Sequence, residues 1–201
     1  MTKKSEKKRD RILNAAVKQM CLHGYAKTTL DDIANEVGLT KTALYYYFKS
    51  KEDLVTKLAD KLLLEFSTNQ RRILLQEKPL VDRLCDLIEW RATFSKEILA
   101  TYENVTDDIF LIVPFLKERI TAHKEASIVI LTEEIHREMA KTKLCPVDPP
   151  AFAAIFEFML HSIEARLYSH SLHQRVIYSE EMLITQLQQM VRRTLLGTNE
   201  Q

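Results

Sequence analysis

Thr29-Leu30-Asp31-Asp32-Ile33-Ala34-Asn35-Glu36-Val37-Gly38-Leu39-Thr40-Lys41-Thr42-Ala43-Leu44-Tyr45-Tyr46-Tyr47-Phe48 carries two helix starts and the stop between them. Thr29 stands where an N-cap belongs, with a carboxylate three residues on, a capping-box pattern with Asp32 in place of Glu. The helix it opens buries Leu30, Ile33, Ala34 and Val37, and Gly38 ends it. Thr40 caps the next helix, which the pattern runs through Phe48. Two short helices joined by a Val37-Gly38-Leu39-Thr40 turn form a helix-turn-helix, and the second is the candidate reader of the major groove. Leu44 and Phe48 fall on one face of it, while Thr42, Tyr45, Tyr46 and Lys49 fall on the other, with Lys41 at its start. Three successive tyrosines cannot all face a core, because neighbours on a helix point about 100° apart. Their hydroxyls suit phosphate oxygens, with the rings along the sugar backbone.

The flanks agree with this reading. Ile12, Leu13, Ala16, Val17 and Met20 form a helical stripe before the motif, closed by Gly24 after His23. Ser50-Lys51-Glu52-Asp53 opens a further helix ahead of Leu54, Leu58 and Leu62, expected to run to about Leu75. Residues 1–57 hold twelve Lys/Arg against seven Asp/Glu, although the whole chain is only +1. A basic small segment joined to an acidic large one suggests that the first meets a polyanion. Lys3, Lys4, Lys7 and Lys8 read as a flexible basic arm.

These residues resemble the N-terminal DNA-binding domain of the TetR family of transcriptional regulators, over residues 8–63. The likeness lies in Arg11-Ile12-Leu13-Asn14-Ala15-Ala16, His23-Gly24-Tyr25 and Thr28-Thr29-Leu30-Asp31-Asp32-Ile33-Ala34. It continues through Val37-Gly38-Leu39-Thr40-Lys41 and Ala43-Leu44-Tyr45-Tyr46-Tyr47-Phe48-Lys49-Ser50-Lys51-Glu52-Asp53-Leu54. The resemblance implies that Thr28 and Thr29 meet a phosphate at the start of their helix, where amides and dipole favour an anion. It implies that Thr40, Lys41 and Thr42 face base edges or the adjacent backbone. Tyr45 and Tyr47 would anchor phosphates, Tyr46 would contribute to specificity, and Lys51 would pair with a phosphate. Family members often carry Gly where this chain has Thr42, whose Cβ and hydroxyl hold the backbone farther from DNA.

The remainder excludes more than it assigns. Three glycines, none near another, rule out GxGxxG and GxxxxGK[ST] phosphate loops and the GxSxG elbow. Cys21, Cys85 and Cys145 are odd in number and widely spaced, neither a disulfide framework nor a zinc ribbon. No apolar run is long enough to span a membrane, and no signal peptide follows the basic start, so a cytoplasmic protein is expected. Few glycines and prolines argue for long helices, proposed at 79–101, 103–112, 114–141, 149–172 and 178–196, with Pro114 and the Pro146–Pro150 cluster as punctuation.

The expected fold is therefore all-α: a three-helix DNA-binding domain over 1–57, with its motif at about 29–48. A larger helical ligand-binding and dimerisation domain follows over 58–201, giving about nine helices. The resemblance implies a four-helix dimer interface from the last two helices, with Phe152, Ile163, Leu167, Leu183, Leu187 and Met190 as candidates. It also implies an effector pocket, for which Trp90, Phe94, Tyr102, Phe110, Phe115, Phe152, Phe156 and Met159 are the large side chains available. Arg91, His123, His161 and Glu164 are polar groups beside these apolar stripes. Glu157, His161 and Glu164, and His170 with His173, have spacings that a metal can use but match no strong signature, so no metal or cofactor is assigned.

The function these readings imply is a homodimeric repressor without enzymatic activity. It would bind an inverted-repeat operator in double-stranded DNA and leave it when a small apolar or amphipathic effector binds. A DNA-bound architectural or partner-recruiting protein remains open as an alternative, as does an all-helical enzyme with a vestigial DNA-binding domain.

Overall fold

The structure is a computed structural model that describes residues 3–102, 105, 108–169 and 178–197. Eight α-helices and no strand occur among them. They are α1 Lys3–His23, α2 Leu30–Val37, α3 Lys41–Tyr45, α4 Lys51–Leu74, α5 Leu80–Thr101, α6 Ile109–Met139, α7 Pro149–Ser169 and α8 Glu180–Leu196. The chain packs as two units, one of residues 1–64 with 99–120 and the other of 65–98 with 121–201. Helices α4, α5 and α6 each contribute residues to both.

The first unit is built on the helix-turn-helix. The Thr29 hydroxyl accepts the Asp32 amide at 3.2 Å, and the Asp32 carboxylate accepts the Thr29 amide at 2.9 Å, so the capping box is closed in both directions. Gly38 stops α2 in the left-handed conformation, φ 68°, which lets the Leu39 amide reach back to the Ala34 carbonyl at 2.8 Å. Thr40 then caps α3 by accepting the Ala43 amide at 3.2 Å. Ile12, Ala16, Met20, Ile33, Ala34, Leu44, Phe48 and Leu54 form the core, joined by Ile112 from the 99–120 segment.

Local differences from the sequence expectations have physical causes. Helix α3 ends at Tyr45 rather than running through Phe48. The Leu44 carbonyl accepts both the Tyr47 and Phe48 amides, tightening the last turn and freeing Ser50 to cap α4 by accepting the Asp53 amide. The basic arm is helical from Lys3, because its Lys, Glu and Arg residues are good helix formers and simply extend α1. Pro114 lies inside α6 rather than dividing two helices. So near the helix start, its missing N–H forfeits one backbone bond, to the Phe110 carbonyl.

In the second unit, α5 is the central element. Its Leu80, Leu84, Leu87 and Ile88 pack with Leu131 and Ile135 of α6, Phe156 and Leu160 of α7, and Leu187, Val191 and Leu195 of α8. Arg83 donates to the Leu74 carbonyl at 2.5 Å and to the carboxylates of Glu134 and Glu138, at 3.1 and 2.7 Å. This satisfies a carbonyl orphaned at the end of α4 and ties α5 to α6.

Gly38→Ala places a Cβ in open space but forces a left-handed alanine. Urea denaturation should show a loss of about 1–2 kcal/mol, all of it from the backbone; no loss would mean that the turn is not held left-handed.

Candidate functional site

Helix α3 divides as its sequence requires. Leu44 is fully buried, while Thr40, Lys41, Thr42, Tyr45, Tyr46 and Lys49 are exposed, Tyr46 at 83%. Thr29 is exposed beside them at the start of α2. Tyr47 is half-buried, its ring edge-on to Tyr46 at 5.2 Å, with the Lys8 ammonium 5.8 Å above it. Lys41 pairs with Asp31 of α2 at 2.7 Å, and this partner holds its pKa above the usual lysine value. Both groups are exposed, so water and salt screen the pair and leave Lys41 able to exchange Asp31 for a phosphate.

Two of the expected contact residues turn inward. Thr28 is only 2% exposed and donates its hydroxyl to the Gly24 carbonyl at 2.8 Å. Lys51 donates to the carbonyls of Tyr25 at 2.7 Å and Thr28 at 3.0 Å, and lies 4.2 Å over the Tyr25 ring. Both hold the loop between α1 and α2 together. Their polar atoms serve backbone carbonyls of this short connection, the Gly24 carbonyl accepting from the Thr28 amide as well, at 3.3 Å. Burial, then the neighbouring Glu52 carboxylate, pushes the Tyr25 hydroxyl up to about 12.

The second unit gathers the four polar groups that the sequence left scattered. Arg91 is 3% exposed and grips Glu164 with two parallel bonds, Nε to Oε1 at 2.6 Å and Nη2 to Oε2 at 2.8 Å. Its Nη1 donates to Glu157 Oε2 at 2.7 Å. His161 approaches Glu164 at 3.8 Å. The same Glu157 oxygen accepts the Ser127 hydroxyl at 2.9 Å, and Ser127 in turn accepts Gln70 Nε2 at 2.6 Å. Burial opposes charge on Glu164, but its bonds to His161 and Arg91 and the Arg91 charge hold its pKa below the usual carboxylate value. Arg91 is likewise depressed by burial and raised, on balance, by Glu164 and Glu157. Burial lowers His123, whose Nδ1 lies 3.2 Å from the Ser67 hydroxyl. Glu157 and Glu164 are thus engaged by a guanidinium. Among the described residues, no three His, Cys, Asp or Glu side chains converge as a metal site would need; His170 and His173 lie outside them.

The candidate pocket aromatics separate. Trp90 and Phe94, 5.3 Å apart, gather around Phe66, which sequence reasoning missed because α4 shows no marked stripe at that point. Phe156 is core at 1% exposure, stacked with the half-buried Phe152 at 6.1 Å, and Met159 packs against the same core. Phe110 and Phe115 are exposed, at 73% and 42%, and Tyr102 is half-buried in the first unit. Of the dimer candidates, Leu187 is 3% exposed inside its own unit's core. Phe152 and Ile163 pack partly against that core, Leu183 is half-buried, and the Leu167 side chain lies outside the described residues. Met190 is exposed at 52%, as are three residues outside the dimer candidates: Ile155 at 58% and Phe158 at 71% on α7, and Met182 at 48% on α8.

A short capped helix with one buried and one polar, aromatic face, set by a tight turn after another helix, is the arrangement of a helix-turn-helix DNA-binding motif. Residues 12–58 match the family model described as bacterial regulatory proteins, tetR family. The chain is 28% identical over 136 residues to the uncharacterized HTH-type transcriptional regulator YerO of Bacillus subtilis (strain 168), covering 68% of this chain and 39% of that protein. It is 36% identical over 52 residues to a probable acrEF/envCD operon repressor of Escherichia coli (strain K12), covering 26% of this chain and 24% of the relative. Both matches span well under half of the relatives' own length. A solved transcriptional regulator of the TetR/AcrR family from Thermobifida fusca shares the fold, with a TM-score of 0.72 at 21% identity over 97% of this chain and 100% of that one. Over residues 12–58 the chain is therefore similar to the DNA-binding domain of the TetR family, and over its full length it shares the fold of a solved member of the TetR/AcrR family. These relatives carry names of regulators, not of enzymes. No helix among the described residues is long and apolar enough to cross a membrane.

In the second unit, two lowered pKa values contribute to the response of stability to acid. Both His123 and Glu164 sit below their ordinary values, 6.5 and 4.5, so the unfolded chain binds these protons first. Their contributions are complete above those ordinary values and are lost as pH falls through the folded ones. Urea midpoints should therefore drop below about pH 6.5 and fall again below about 4.5. His123→Gln should remove the first decline; a flat profile in the parent protein from pH 7 to 5 would contradict the burial of His123.

Proposed function

We propose that the chain is a cytoplasmic, homodimeric, sequence-specific DNA-binding repressor, released from an inverted-repeat operator when a small effector binds its second unit. The observation that carries this is the outer face of α3. Thr40, Lys41, Thr42, Tyr45 and Tyr46 are exposed together, opposite the buried Leu44 that fixes the helix to its scaffold. An apolar face would mark such a helix as a packing element. Hydroxyls, a screened lysine and aromatic edges suit a groove wall with phosphates on its rims. Thr29 and Lys49 extend the contact at either end, and Tyr47 supports Tyr46 from behind.

Exposed apolar residues of the second unit support the dimer. Ile155 and Phe158 on α7, with Met182 and Met190 on α8, leave apolar side chains in water that a second copy would cover. Two recognition helices on one twofold axis then meet half-sites about 34–36 Å apart, or a multiple of that. Helix α4 is one continuous element with residues in both units. An effector that favours one position of α4 would shift operator affinity by its differential binding to the two states.

Selection from a random duplex pool should recover an inverted repeat. Lys41→Ala should weaken binding to it by about tenfold and lower the slope of log affinity against log salt by about one phosphate contact. Unchanged affinity and slope would remove Lys41 from the interface. Phe158→Asp should convert a dimer to a monomer in sedimentation velocity while helicity is kept, and a dimer that survives this change would move the seam elsewhere.

A further inference from the structure

The buried network of the second unit is unbalanced in one direction. Arg91 contributes one positive charge, and Glu157 and Glu164 contribute two negative ones, all in residues less than a tenth exposed; the half-exposed His161, 3.8 Å from Glu164, adds a positive charge only when protonated. Each nitrogen of the guanidinium already donates to a carboxylate. Beyond Glu157 the polarity of the chain of bonds is fixed. An ionised Glu157 only accepts, so Ser127 spends its single hydroxyl proton on it and offers Gln70 a lone pair. Gln70 must therefore present its NH2 to Ser127. Its Oε1 is left buried with no hydrogen-bond partner, in a residue 2% exposed. Nearby on the same unit, Phe66, Trp90 and Phe94 meet at centroid distances of 4.9 to 5.6 Å and keep part of their surface uncovered. Arg91 sits 5.1 Å over Phe66, so one of these rings already serves a cation.

Every unmet demand here is of one kind: an excess negative charge, an acceptor without a donor, and electron-rich ring faces. We infer that the effector of this unit is a hydrogen-bond-donating organic cation, a primary ammonium on an apolar frame, with its N–H groups on Gln70 Oε1 beside Glu157 and its frame against Trp90, Phe94 and Phe66. An anion is disfavoured because it would find Arg91 saturated and would add to a buried negative charge. A neutral hydrocarbon would leave Gln70 Oε1 as unsatisfied as before. A quaternary ammonium would answer the charge and the rings but bring no donor. This rests on the reading of the protein as an effector-responsive regulator, and it specifies the effector's chemistry.

Four probes with the same tail separate the possibilities: dodecylammonium, dodecyltrimethylammonium, dodecanol and dodecanoate, each kept below its self-association concentration. Trp90 is the chain's single tryptophan, so its fluorescence in the full-length protein reports binding at the site itself. Dodecylammonium should bind at least tenfold more tightly than dodecanol or dodecanoate, with the trimethyl compound between. Gln70→Met should bring dodecylammonium down to the trimethyl compound's affinity. Glu157→Gln should weaken both cations and leave dodecanol unchanged. Should Glu157→Gln fail to give a helical, cooperatively melting protein, Gln70→Met decides alone, since it alters no charge. Tightest binding of dodecanoate or dodecanol, no binding of the ammonium, or a preference for the primary over the trimethyl ammonium that survives Gln70→Met would overturn the inference. Release of the selected operator, followed by anisotropy, is scored separately. Operator released by dodecanoate rather than by the ammonium sinks the cation and keeps the regulator. Failure to select any operator sinks the regulator, while the fluorescence still decides the ligand.

Discussion

A guanidinium cannot be left alone in a protein interior, and that constraint organises the larger unit. Arg91 sits on α5 with its charge almost wholly removed from water. Losing one partner of such a buried pair typically costs about 3–5 kcal/mol, because the other charge stays behind unpaired. Two glutamates from α7 answer it, seven residues apart and so on one face of that helix. Ser127 of α6 and Gln70 of α4 extend the same chain of bonds. Four helices thus meet at one polar point inside an apolar core, and their relative register is set there far more sharply than leucine packing alone would set it.

Arg83 repeats the device one layer away, donating to the end of α4 and to two carboxylates of α6. Both arginines lie on α5, eight residues apart, and so project about 80° from one another around its axis. Their work differs. Arg83 serves a helix end, a purely structural demand. Around Arg91 the carboxylates outnumber the cation, and the bond chain ends on an unpaired acceptor, which is the condition a ligand can relieve.

The first unit uses its polar groups by a simple division. Those near the α1–α2 loop face inward: Thr28 and Lys51 satisfy carbonyls that lack secondary-structure partners. Those on α3 have no such duty, because Thr40 and the Leu44 carbonyl already close that helix at both ends. Its remaining hydroxyls, ammonium and aromatic rings are left for an external surface. Residue type and position in the motif are equally suggestive for Lys41 and Lys51, yet Lys51 spends its ammonium on loop carbonyls while Lys41 pairs with an exposed carboxylate.

Local chemistry was legible in the sequence because it acts over three or four residues. The Thr29–Asp32 capping box, the Gly38 turn, the Thr40 cap and the Leu44/Phe48 face all depend on neighbours in the chain, and all are found where the pattern puts them. The all-helical class follows from the same short-range rules. Which face of a doubly apolar helix turns inward was not legible, since Leu187 and Met190 have similar hydropathy and only packing against α5 buries the first and exposes the second. Nor was the meeting of Arg91 with Glu157 and Glu164, 66 and 73 residues away in the chain. Electrostatic partners at that separation are chosen by the fold, because a buried charge takes whichever opposite charge the packed helices bring within reach.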